Sequence, residues 1–112
     1  MVCIDASVFV SFGRPTETEH ENSLQFMNHL YEIEDGVVDP ILVQAECAGA
    51  LARRTGDTAE ALRFARGLER LPGMRLVAVD GSLAFRAIEI AAERRLRGAD
   101  AVYVATAEAH DA

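Results

Sequence analysis

The chain has 112 residues, 50% of them apolar, 26% charged and 6% aromatic. That size suits one small domain with its own core and leaves little room for a second. No apolar run approaches the roughly 20 residues of a membrane-spanning helix, and Val2–Ile4 is too short for a secretory leader. Eighteen acids against eleven bases, every base an arginine, give a net charge of −7, which opposes nonspecific attraction to phosphate backbones. Cys3 and Cys47 stand far apart in the chain, so the expectation is two reduced core thiols and a cytoplasmic protein.

Met1 to Asp5 reads as a short apolar strand ending in an acid, with Ser7 to Phe12 entering a turn or helix behind it. Arg14 to Glu21 is polar and carries Pro15, which predicts a loop and a helix start. Leu24, Met27, Leu30, Tyr31 and Ile33 then keep helical spacing until Gly36. Val37-Val38-Asp39 is a very short strand, and Pro40 suits the first turn of the helix Ile41 to Arg54, which Gly56 stops. Asp57-Thr-Ala-Glu60 forms a capping box for a helix reaching Leu71, before Pro72-Gly73. Arg75 to Asp80 is the most strand-like stretch. A helix from Ser82 to about Leu96 and a last one from Asp100 to Ala109 complete the chain. Strands alternating with helices, without a hairpin signal, predict a parallel sheet with helices on its faces. Such sheets place their chemistry beyond the carboxyl ends of the strands.

Three carboxylates stand in apolar surroundings. Asp5 follows Val2-Cys3-Ile4 at a strand end, where it also suits a helix cap. Glu46 has Leu42, Val43, Gly49 and Ala50 at three and four residues' distance, near the apolar stripe of its helix. A buried carboxylate there needs a cation, a metal or a proton, and a salt bridge to an arginine would also satisfy it. Asp100 precedes Ala101 to Ala105 and suits an N-cap. Asp80 ends a strand in a similar way, but capping before Gly81-Ser82 accounts for it. Acids from a strand end, a helix face and a late helix start can meet at one end of a parallel sheet. Clustered carboxylates repel unless a divalent cation neutralises them. Oxygen-only ligands suit Mg²⁺ or Mn²⁺, which can activate water and bind a phosphodiester.

These residues also carry a resemblance. Val-Cys-Ile-Asp5-Ala-Ser7-Val-Phe, Ile41-Leu-Val-Gln-Ala-Glu46 and Leu96-Arg-Gly-Ala-Asp100-Ala-Val-Tyr-Val-Ala-Thr-Ala107 resemble PIN domains, the VapC-like toxin ribonucleases in particular. Leu71-Pro-Gly-Met-Arg-Leu-Val-Ala-Val-Asp80 fits the same pattern. The resemblance implies a three-layer α/β/α fold with a short parallel sheet. It places Asp5, Glu46 and Asp100 among the metal-binding and catalytic acids, with Ser7 supporting the first and Thr106 given no catalytic role. It implies an endoribonuclease using Mg²⁺ or Mn²⁺, an RNA substrate, a homodimer and a small antitoxin partner. Family members continue into a further strand ending in an acid, whereas this sequence stops at Glu108-Ala-His-Asp-Ala112. The expectation is therefore one PIN-like domain over residues 1–112 that lacks the family's last strand and leaves the first-strand edge open, so that either the protein is shortened at its C-terminus or a partner chain covers that edge.

Other chemistries lack their residues. Ser7 occupies the place where a haloacid-dehalogenase-like site needs its second Asp. No glycine-rich phosphate loop or Gly-x-Ser-x-Gly elbow is present. His20, His29 and His110 lack zinc-ligand spacing. The rival reading is a noncatalytic PIN-like module that binds an antitoxin, RNA or itself, with Arg53-Arg54 and Arg94-Arg95-x-Arg97 as contacts for phosphate or acidic peptide. Such arginines also favour helix carboxyl ends for electrostatic reasons alone.

Overall fold

The computed structural model describes residues 1–112. Six helices surround a small parallel sheet: α1 (Ala6–Gly13), α2 (His20–Glu32), β1 (Val37–Pro40), α3 (Leu42–Thr55), α4 (Thr58–Gly67), β2 (Met74–Val77), α5 (Gly81–Arg94) and α6 (Gly98–Ala109). A single 3-10 turn, Leu68–Arg70, joins α4 to β2. β1 and β2 pair in register from Val37 opposite Met74 to Pro40 opposite Val77. No helix is long and apolar enough to cross a membrane.

The expected first strand shrinks to one bridge. Val2 pairs with Val37 through Val2 N–H to Gly36 O at 3.0 Å and Val38 N–H to Val2 O at 2.9 Å. A second rung would need a donor from Pro40, which has no N–H. Ile4 N–H instead meets a side chain, Asp39 Oδ1, at 2.7 Å. Pro40 itself ends β1 rather than opening the following helix, which starts at Leu42.

Two apolar clusters flank the sheet. One joins Phe9 and Val10 of α1, Met27 and Leu30 of α2, Val43, Cys47 and Leu51 of α3, and Ala61 and Ala65 of α4. The other joins Ala87 and Ile90 of α5 to Ala101 and Ala105 of α6. β1 runs between helices and is buried at all four residues, which is why it shows no apolar–polar alternation even though it carries Asp39.

Helix ends follow local chemistry. Asp57 Oδ1 accepts from Glu60 N–H at 3.0 Å, and Asp80 Oδ1 accepts from Leu83 N–H at 2.8 Å, as their positions predict. Gly56 ends α3 at φ 69°, a left-handed conformation that suits glycine. Asp100 departs from expectation. α6 begins two residues earlier, at Gly98, so Asp100 lies in the first turn rather than at the cap. There its charge favours the helix dipole, and its Oδ2 accepts from Arg97 Nε at 3.2 Å.

Candidate active site

Asp5 caps α1. Its Oδ2 accepts from Ser7 N–H at 3.0 Å and from the Ser7 hydroxyl at 2.6 Å. Those two bonds fix the carboxylate at the edge of the sheet while leaving it exposed. Asp100 reaches the same place from the other end of the chain. Asp5 and Asp100 line one cleft of about 250 Å³ with Cys3, Tyr103, Val104 and Ala107.

Glu46 approaches from α3 and does not line that cleft. Its Oε1 is buried without a hydrogen-bond partner, as is the Tyr103 hydroxyl. Burial pushes the Tyr103 phenol well above its ordinary range, and the neighbouring Glu46 carboxylate pushes it further, with Asp39 and Asp5 adding to the effect. Tyr103 thus stands between the cleft and Glu46 as a neutral hydroxyl. As arranged, no three His, Cys, Asp or Glu side chains surround a point from which they could hold a metal ion. The oxygen donors nevertheless fit a hard cation in kind, and Glu46 Oε1 is an orphaned buried oxygen of the sort a cation or proton satisfies.

Two residues at the site escaped the sequence reading. Tyr103 reads as one apolar position of a helix; its contact with Glu46 is long-range and leaves no local signal. Asp39 had a signal, an acid inside an otherwise apolar four-residue strand. It is fully buried, and its Oδ2 has no partner. Burial pushes its carboxyl up from 3.8 to about 6, held back by the Ile4 N–H and the Cys3 thiol and raised again by the Asp5 charge. Cys3 rises to about 12, chiefly through burial and then Asp39. Cys47 also rises to about 12, through burial and then Glu46, Asp39 and Asp5. Both thiols are free and stay protonated near neutrality, so neither competes for a metal.

The raised Asp39 value makes a prediction. Between pH 4 and 6 the folded chain keeps a proton that the unfolded chain has released. The Asp39 contribution therefore disfavours folding increasingly as pH rises through that window, reaching a penalty on the order of 3 kcal/mol. Asp39→Asn cannot ionise. Its stability relative to the parent chain is expected to rise by about 2 to 3 kcal/mol between pH 4 and 7, read from urea unfolding at each pH. A constant difference across that range would contradict the raised value.

A larger hollow of about 510 Å³ lies between α5 and α6, lined in part by Asp80, Ser82, Arg86, Glu108 and His110. Its charges satisfy each other: Arg86 donates to Glu108 at 2.7 and 2.9 Å. This bidentate pair occupies Glu108, and the other acid there, Asp80, caps α5. Three of the other groups bond within the fold. His20 Nδ1 lies 2.8 Å from Ser11 O at the end of α1. The buried Thr106 hydroxyl donates to Val102 O at 2.8 Å within α6. Arg54 pairs with Glu17 at 2.6 Å.

A PIN domain model matches residues 2–112. No curated protein matches the chain. Among solved structures it is similar to the toxin VapC20 of Mycobacterium tuberculosis, described as cleaving the sarcin-ricin loop, with a TM-score of 0.80 at 21% identity. That likeness covers 99% of this chain and 84% of the other.

Proposed function

The chain belongs to the PIN domain family, and from that premise we propose that residues 1–112 act as one VapC-like, metal-dependent endoribonuclease. The observation carrying this reading is that Asp5 and Asp100, from opposite ends of the sequence, line one cleft beside Tyr103, against which Glu46 holds an unpartnered oxygen. Asp5, Glu46 and Asp100 would hold Mg²⁺ or Mn²⁺. Such an ion, when bound, lowers the pKa of a coordinated water and neutralises the phosphodiester oxygens.

The protein's own residues supply the positioning. Ser7 holds one oxygen of Asp5 and leaves the other without a protein hydrogen bond. Asp100 is half-exposed and tied only to Arg97, itself 91% exposed. A cation held by Asp100 would displace the Arg97 contact. Arg97 is then free to meet an RNA phosphate, a local attraction that the net charge of −7 does not provide. A small antitoxin would cover the cleft in the cytoplasm. A second copy would cover Phe85 and Ile88 of α5, each 67% exposed.

The separation of the acids favours a second reading, a binding module that takes a partner without cutting. Incubating the chain with a panel of structured and single-stranded RNAs in Mn²⁺ separates the two. The nuclease reading expects discrete cleavage products that EDTA abolishes. Metal binding with intact RNA across the panel would instead establish the noncatalytic reading.

A further inference from the structure

We propose that Asp39 is a positioning residue, whose buried carboxylate takes the Ile4 N–H where the ladder between the first segment and β1 stops, and thereby fixes Asp5 at the mouth of the cleft. The consequence for cleavage rests on the nuclease reading above; the positioning itself does not.

The geometry starts from the parallel ladder. Val2 exchanges two backbone hydrogen bonds with the strand containing Val37. Continuing the ladder by two residues would pair Ile4 with Asp39, using Ile4 N–H and the N–H of residue 40. Residue 40 is proline, so the half of that rung donated to Ile4 O cannot form, and the Ile4 N–H does not take the other half, to Val38 O, but bonds a side chain. Ile4 is buried, and an unpaired N–H there would be costly. Asp39 Oδ1 accepts it at 2.7 Å, a length typical of a charge-assisted bond.

The position of this bond matters as much as its strength. Ile4 is the last residue before Asp5, and Asp5 opens α1 with its side chain bonded to Ser7. The backbone is therefore clamped on both sides of Asp5, by Asp39 before it and by the helix after it. Asp39 is 0% exposed and does not line the cleft, so its carboxylate acts through the backbone. Its Oδ2, without any partner, contributes nothing further to the clamp. One oxygen does the positioning.

Asn keeps an acceptor oxygen at the same place, whereas Leu keeps the size and loses the acceptor. The test uses the full chain labelled with ¹⁵N, carrying Asp39→Asn or Asp39→Leu. Three quantities are read: exchange of the Ile4 amide, Mn²⁺ affinity by calorimetry, and kcat and KM on a cleaved RNA. In the parent chain and in Asp39→Asn the Ile4 amide is expected to exchange slowly, as a buried, bonded amide does. Asp39→Leu is expected to speed that exchange at least about tenfold, weaken Mn²⁺ binding about tenfold and lower kcat about 10- to 100-fold, with KM little changed. Asp39→Asn should restore all of these to within about threefold of the parent chain, as a retained acceptor requires.

Two results would overturn the proposal. Asp39→Leu with parental Ile4 exchange and Mn²⁺ affinity would show that the bond positions nothing. Asp39→Asn that loses Mn²⁺ while Ile4 stays protected would make the acid a ligand instead. If Asp39→Leu does not fold, exchange in the parent chain decides: an Ile4 amide as slow as Val38 supports the clamp, and one as fast as an open loop ends it. The exchange measurement needs neither metal nor RNA. Expected exchange with uncut RNA would therefore leave the clamp standing and remove the nuclease reading alone.

Discussion

Asp5→Asn is expected to lower RNA cleavage in saturating Mn²⁺ by at least about 100-fold while leaving the fold intact, since loss of even a supporting group at a metal site costs about 10- to 100-fold. The substitution is chosen for what it keeps. Asn caps helices about as well as Asp, and its side-chain oxygen can still accept from Ser7 N–H, as Asp5 Oδ2 does at 3.0 Å. The melting temperature should therefore move by only a few degrees. What disappears is the negative charge facing the cleft shared with Asp100. Asp80→Asn is the matched control, because Asp80 caps α5 in the same manner but lines a separate hollow together with Arg86 and Glu108. Its cleavage rate should equal that of the parent chain. Parental activity in Asp5→Asn, measured as initial rate, would remove Asp5 from the chemistry.

What the sequence displays of this site depends on how far each interaction reaches. The caps at Asp5, Asp57 and Asp80 are legible because an Asp bonds an N–H only two or three residues away. Glu46 is legible through helical spacing, which places it beside the buried Val43 and Cys47. Asp100 shows the limit of local signals. Gly98 reads as a helix breaker, yet α6 starts on it; glycine weakens a helix interior but is tolerated at a helix start. The first strand fails for a nonlocal reason, since its second rung depends on a proline in another segment, Pro40. Asp39 and Tyr103 belong to the same class. Their partners, Ile4 and Glu46, lie tens of residues away, and no periodicity within either segment reports them.

Phe9→Ala is expected to be the most damaging single change to stability, at about 3 to 5 kcal/mol. Phe9 is 0% exposed and belongs to the cluster that joins α1 to α2, α3 and α4. α1 has only eight residues, too few to hold a helix in water without tertiary packing. Removing the ring leaves a cavity that Val10, Val43 and Leu51 cannot fill without moving, because each is itself almost fully buried. For a domain of this size the loss corresponds to a fall of roughly 10 to 30 °C in melting temperature, read by circular dichroism or calorimetry. Phe85→Ala is the comparison, since Phe85 is an equal side chain at 67% exposure; its cost should stay within about 0.5 kcal/mol in the monomer. Because α1 also carries the capping bonds of Asp5, partial loosening of Phe9→Ala below its melting point should weaken Mn²⁺ binding before the bulk helix signal falls. Metal affinity and helicity that decline together over the same temperatures would show that α1 is not a separately loosened element, and that Phe9 acts on the site only through global unfolding.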